Sequence, residues 1–385
     1  MNKLTYLNRQ SVQLGIYIHI PFCKQKCFYC DFNSGPIHQA TRKTYLRSLN
    51  QEITLSPWKN ATVKTLFLGG GTPSELTSSE LETLISTLKK TFVFSDTIEQ
   101  TIECNPESLD LELATALYSK GFNRISLGVQ SFYNHHLQNL GRIHNVDQIK
   151  KAYDLIRKVG FSNINFDLLF GLPNQSLEEW KTDLHKAIEL SPEHLSLYNL
   201  TVEPGTDFSL QQTQKNLKKI DEDLVADMYE MAMDVTADAN YEQYETSHYC
   251  RPNRQCEHNM IYWQNKPYLG FGVSATSLID GIRSTNTENL NEYTRTIDQG
   301  QPKQAISEKL EGIAALKEEI MLRLHTREGI SLKILSRRYQ CDVATLFSES
   351  LDMLSRQQLI IKQKDRVRLT RKGKLFADQV CLQFL

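Results

Sequence analysis

The chain has 385 residues, 40% hydrophobic and 23% charged, with a formal net charge of -1. That balance supports a packed core and supplies no global field to draw in nucleic acid or a membrane surface. The length suits one large domain with a smaller one beside it.

In chain order, residues 1–14 are polar and mixed, without the apolar stretch of a secretory signal. No run approaches the ~20 apolar residues of a membrane span, so a cytoplasmic protein without a membrane span is expected. Eight cysteines, three of them clustered, suit a reducing compartment better than a disulfide framework. Cys104, Cys250, Cys256, Cys341 and Cys381 are scattered and read as buried small hydrophobes.

Six short apolar runs follow: GIYIHIP (15–21), VKTLFLGG (63–70), TIEQTIECN (97–105), RISLGVQS (124–131), INFDLLFGL (164–172) and HLSLYNLT (194–201). Amphipathic stretches separate them. SSELETLISTLKKTF opens with Ser and Glu in capping-box spacing, and two others close on a glycine. Alternating strand and helix predicts βα units on a parallel sheet, an α/β partial (βα)6 barrel. The site is then expected at the C-terminal ends of the strands.

From about Leu210 to Ala305 the pattern changes to a polar lead-in, a helix, and strands at YEQYETSHY and YLGFGVSATSLI. A charged link near Ser307–Glu311 opens a last segment with three helical patterns, a hairpin around Lys364-Asp365 and a final helix. This order resembles a winged-helix module. Near-neutral charge favours an accessory packing role over nucleic-acid binding. The expected division is a barrel at 1–209, a bridging region at 210–306 and the helical domain at 307–385.

Cys23, Cys27 and Cys30 are spaced C-x3-C-x2-C on the loop leaving the first strand. Three chemistries use thiols this way. A zinc site would need a fourth ligand, with His19 or His38 nearest. A dithiol redox pair would use Cys27 and Cys30 and leave Cys23 idle. An iron–sulfur cube on three thiolates would leave one iron open. Downstream, the glycine-rich turn Gly69–Ser74 follows the second strand and can bring backbone close to a ligand and present N–H groups. Glu103, Gln130, Arg142 and Asp167 then interrupt or follow later strand ends. Buried charges need partners, so either carboxylate could simply pair with Arg142.

With Tyr29 ahead of the last cysteine, the spacing resembles the radical S-adenosylmethionine (SAM) enzymes. That resemblance implies a [4Fe–4S] cluster on Cys23, Cys27 and Cys30, with SAM chelated at the open iron. Gly70, Gly71 and Thr72 would hold its methionyl part. Tyr17, Glu103, Gln130, Arg142 and Asp167 resemble the SAM-binding positions of the coproporphyrinogen-oxidase-like branch. Two functions occur there: oxygen-independent decarboxylation of coproporphyrinogen III, and haem binding and delivery.

Three features point to the haem chaperone subgroup. Phe32 stands where the oxidases carry a further cysteine, Cys23 lies near the start of the chain, and HNMIYW (258–263) matches a motif proposed for haem binding. By that resemblance His258 would contact haem, with Tyr262 and Trp263 as flat apolar surface and Cys256 as a thiolate alternative. From spacing alone these are core aromatics and a hydrogen-bonded histidine. His144, close after Arg142, is a further residue within possible reach of the pocket. The expected partners are haem and haem-accepting proteins such as respiratory haemoproteins, with a homodimer possible.

Overall fold

The structure, a computed structural model, describes residues 13–214, 221–300 and 304–385. The N-terminal twelve residues, with most of the segment read for a signal, and residues 215–220 of the polar lead-in lie outside them.

Strands β1 (Gln13–Ile20), β2 (Thr62–Gly70), β3 (Val93–Cys104), β4 (Arg124–Gln130), β5 (Ile164–Phe170) and β6 (His194–Asn199) stand side by side in chain order. Every neighbouring pair is parallel. This is the six-unit α/β partial barrel that the alternation predicts. β4 is buried along its whole length, as a strand covered on both faces must be. Three of the intervening helices start with reciprocal caps, at Thr77/Glu80, Asn145/Gln148 and Ser176/Glu179. The first box uses Thr77 rather than the serines that follow it.

The sheet continues past these six strands. β7 (Glu242–Gln243) and β8 (His248–Cys250) form an antiparallel pair beyond β6, where one strand was expected. On the other side β9 (Tyr268–Phe271) lies parallel to β1, followed by antiparallel β10 (Thr276–Ile279), β11 (Ile282–Asn286) and β12 (Gln304–Lys309). The stretch expected as a charged link is therefore mostly an edge strand. All six β12 residues are exposed, and its charged side chains suit an unpaired edge.

Beyond Glu311 a second core forms around Leu316, Ile320, Leu324, Leu351 and Val380. Helix Gly312–Leu324 leads into β13 (Ile330–Ser331), three helices, and the hairpin of β14 (Ile360–Gln363) and β15 (Arg366–Leu369). That order is the winged-helix one. Trp263 stacks on His325 at 5.3 Å, and Arg371 pairs with Asp234, joining this unit to the rest. Among the described residues no helix is long and apolar enough to cross a membrane.

Candidate functional site

The loop leaving β1 is closed at its base and pinned at its tip. Cys23 N donates to Gly35 O and Gly35 N to Pro21 O, both at 3.0 Å, while Phe28 N donates to Leu140 O at 3.1 Å. Cys23, Cys27 and Cys30 are all free and partly exposed. Each sulfur has a polar neighbour: Thr72 Oγ1 donates to Cys23 Sγ at 3.5 Å, Arg142 Nη1 donates to Cys27 Sγ at 3.5 Å, and Ser34 Oγ lies 3.9 Å from Cys30 Sγ. Burial pushes the Cys23 and Cys30 thiols up, and those hydroxyls oppose it.

Zinc fits poorly here. A closed zinc site on these thiols would need a fourth protein ligand, and neither nearby histidine supplies one. His19 is buried with both ring nitrogens engaged, by Tyr17 OH at 3.1 Å and Asn33 O at 2.9 Å. His38 is exposed at the head of a helix.

A cavity of about 490 Å³ sits against the loop, at the C-terminal ends of β1–β6. All three thiols line it, as do Gly70, Gly71, Thr72, Glu103, Gln130, Arg142 and Asp167. A dithiol pair would leave Cys23 without a reason to face it. Arg142 does not pair with either carboxylate. Its Nη2 donates to Asn105 Oδ1 at 2.6 Å and to Gly128 O at 3.2 Å, leaving Nη1 for Cys27. Gly128 makes room, since a Cβ there would lie 3.2 Å from Arg142 Nη2.

The carboxylates are held by neutral donors instead. Glu103 Oε2 accepts from Gly70 N at 3.1 Å; Asp167 accepts from Ser126 Oγ at 2.9 Å and Asn165 Nδ2 at 2.8 Å. Burial, then repulsion from Asp167, pushes Glu103 up to about 8, and burial also raises Asp167. The fully buried Arg124 offsets part of this through space. Such a pair favours a ligand that brings positive charge or hydroxyl donors. Gln130 adopts φ 64 at a bulge ending β4, a left-handed conformation costly for a side chain other than glycine.

The glycine turn works differently from its expected role. Gly70 N donates to Glu103, Gly71 N to Ile20 O at 2.8 Å and Thr72 N to Phe22 O at 2.7 Å, so all three N–H groups are satisfied inside the protein. The glycines instead permit close packing. A Cβ on Gly70 would lie 2.5 Å from the His19 ring, and one on Gly71 would lie 2.7 Å from Phe22 O.

Tyr17 lines an adjoining cavity of about 230 Å³, not the one against the thiols. Phe67, Arg124, His258, Asn259 and Tyr262 share it; Glu103, Asp167, Tyr198 and the exposed Phe32 border both. His258 is 1% exposed, with Nδ1 bonded to Thr65 Oγ1 at 2.7 Å and Nε2 to Tyr262 OH at 2.8 Å. Burial lowers its pKa to about 3, so the ring is neutral. Both nitrogens are committed, and the imidazole forms part of the wall rather than offering a free lone pair.

Trp263 turns away toward His325, so it shares no flat surface with Tyr262. Cys256 is fully buried, donates to Glu99 Oε1 at 3.6 Å, and is pushed up to about 12 by burial, which removes the thiolate alternative. His144 is buried against Glu107 at 3.2 Å and does not line the larger cavity. Asn105, Ser126, Asn165, Tyr198 and Arg124 are site residues that the sequence reading passed over. Asn105 lies two positions after Glu103 and Asn165 two before Asp167, the strand spacing that returns to the same face.

Residues 17–187 match the radical SAM superfamily and residues 310–376 the HemN C-terminal domain. The heme chaperone HemW of Lactococcus lactis is 34% identical over 96% of this chain and 96% of that protein. Its counterpart in Bacillus subtilis is 35% identical over 96% and 98%, and that of Escherichia coli 40% identical over 72% and 74%. Among solved structures, the coproporphyrinogen III oxidase HemN of Escherichia coli, a radical SAM enzyme, superposes with a TM-score of 0.86 at 25% identity, covering 100% of this chain and 93% of that one. The chain belongs to the radical SAM superfamily, in its HemN-like branch, and within that branch to the family of the HemW proteins.

Proposed function

We propose that this protein is a haem chaperone that binds haem and passes it to haem-accepting proteins, carrying a [4Fe–4S] cluster and SAM beside the thiol loop. The observation that carries the reading is the identity to proteins named heme chaperone along almost the whole chain.

The donor set supports the cofactors. Cys23, Cys27 and Cys30 would hold three irons and leave the fourth to the amino and carboxylate groups of SAM. The chemistry such a cluster would supply, when reduced, is one-electron donation to a bound sulfonium. Arg142, Thr72 and Ser34 stabilise negative charge on the sulfurs, and Asn105 keeps the guanidinium aimed at Cys27. Glu103, Asp167 and Gln130 offer acceptors toward the cationic and hydroxyl-bearing parts of SAM. Gly70, Gly71 and Thr72 shape the cavity edge by close packing.

Haem contact is proposed at the aromatic wall of Tyr17, Phe67, His258 and Tyr262, with Phe32 at the rim. Iron ligation by His258 would require it to release Thr65 or Tyr262. The adjoining cavity, at about 230 Å³, falls below the ~300–1,000 Å³ of drug-sized pockets, so it suits an edge of the macrocycle rather than the whole. Reduced thiols fit work in the cytoplasm.

The likeness to the oxidase favours a second reading, radical decarboxylation of coproporphyrinogen III. A shared fold does not choose between them. Anaerobic reconstitution tests the cofactor part: about four irons per chain are expected, and zinc without iron refutes it.

A further inference from the structure

Away from both cavities, the short helix Asn134–Asn139 and the head of helix Leu177–Glu189 bring His135, His136 and Glu179 together. His135 Nε2 lies 3.2 Å from Glu179 Oε1, and His136 Nε2 lies 3.6 Å from Glu179 Oε2. The two imidazole centroids are 4.0 Å apart. One ligand atom from each residue lies within 4.8 Å of the other two. Nitrogen and oxygen donors ~2.0–2.2 Å from one tetrahedral ion stand about 3.3–3.6 Å apart. Only small adjustments would close the trio around an ion.

Two further observations point to a ligand. The His136 side chain is 2% exposed, yet its Nδ1 has no hydrogen-bond partner and its Nε2 has only Glu179, at 3.6 Å, beyond hydrogen-bond distance. An orphaned buried imidazole is costly, and a bound ion would answer one of its nitrogens. Glu179 is held in place by the cap it makes. Its Oε2 accepts from Ser176 N at 2.8 Å and Ser176 Oγ at 3.0 Å, while Oε1 faces His135. Partners of this kind orient metal-binding carboxylates.

We propose that His135, His136 and Glu179 form a site for one divalent transition-metal ion. Two imidazoles and one carboxylate suit zinc, ferrous or cobaltous ions rather than magnesium or calcium, which prefer all-oxygen shells. The exposed His135 leaves the site open on one side, with room for water or an outside ligand. The helix carrying both histidines lies between Gln130 and Arg142 in sequence, so an ion here would brace the segment that supplies two residues of the larger cavity.

Cobalt(II) titrated into the full chain, its partly exposed loop thiols first blocked by alkylation, tests this, with visible absorption as the readout. One equivalent should bind with the weak visible bands of a nitrogen–oxygen shell. His135→Ala and Glu179→Gln should each weaken that binding by ~10-fold or more, and His185→Ala, at an exposed histidine outside both sites, should leave it unchanged. Both test variants should fold, because His135 is exposed and glutamine keeps the capping box. Wild-type binding in His135→Ala and Glu179→Gln, or loss of the bands in His185→Ala, overturns the assignment.

Discussion

Cys27 and Cys23 are joined by an unbroken chain of hydrogen bonds. Arg142 donates to Cys27 Sγ at 3.5 Å and to Asn105 Oδ1 at 2.6 Å; Asn105 Nδ2 donates to Thr72 Oγ1 at 3.0 Å; and Thr72 donates to Cys23 Sγ at 3.5 Å. Three segments that meet at the ends of separate strands thus fix two thiols relative to one another.

Asn105 is the link that touches neither sulfur. Asn105→Ala should lower stability by about 1.5–3 kcal/mol, the usual range for losing a hydrogen bond to a charged group. Thermal denaturation of the ligand-free chain measures it. The iron content after anaerobic reconstitution should stay near that of the parent, because all three thiols remain. An unchanged melt would show that the chain of bonds does not brace the loop.

Glu103 predicts a pH dependence. Its pKa is about 8 in the fold, against an ordinary 4.5. Between those values the folded state keeps a proton that the unfolded state has lost. Stability therefore falls as pH rises across this window and levels off above it. Glu103→Gln should remove its share of that slope, while Glu52 and Asp183, each raised to about 7 by burial, keep theirs. Chemical denaturation at about pH 5 and about pH 9 reads the difference. Identical slopes in the two proteins would contradict the placement of Glu103.

Gly70 has φ 107, and the nearest atoms to an added Cβ belong to the His19 ring at 2.5 Å. Gly70→Ala should cost about 1–3 kcal/mol through backbone strain and displacement of that ring. Denaturant titration checks this. A substitution that proves neutral would mean that the turn relaxes freely.

The strand order and the helix caps were readable because apolar runs and Ser/Thr/Asn caps are local signals. β9 was readable as a strand but its place in the sheet was not, since its pairing with β1 joins segments about 250 residues apart and leaves no mark in either one. Arg142 illustrates the same limit. Its charge suggested a carboxylate partner, yet the fold gives it Asn105, a main-chain carbonyl and a thiol. Tyr262 and Trp263 could have been separated in advance. Neighbours on a helix diverge by about 100°, so one faces the cavity and the other the C-terminal unit.

His258 joins helix Glu257–Trp263 to β2 through Thr65 and closes on Tyr262. His258→Phe should therefore cost ~1–3 kcal/mol by leaving two hydroxyls without a buried partner. Haem affinity should stay within about 10-fold, a change of at most ~1.4 kcal/mol. Loss of haem binding at unchanged stability would make the imidazole an iron ligand instead.

The central claim, a haem chaperone rather than a decarboxylase, rests on one paired measurement. The anaerobically reconstituted protein is given haem in one arm, and coproporphyrinogen III with SAM and a reductant in the other. Saturable haem binding with coproporphyrinogen left unchanged is the expected result. Formation of protoporphyrinogen, with no saturable haem binding, would contradict it.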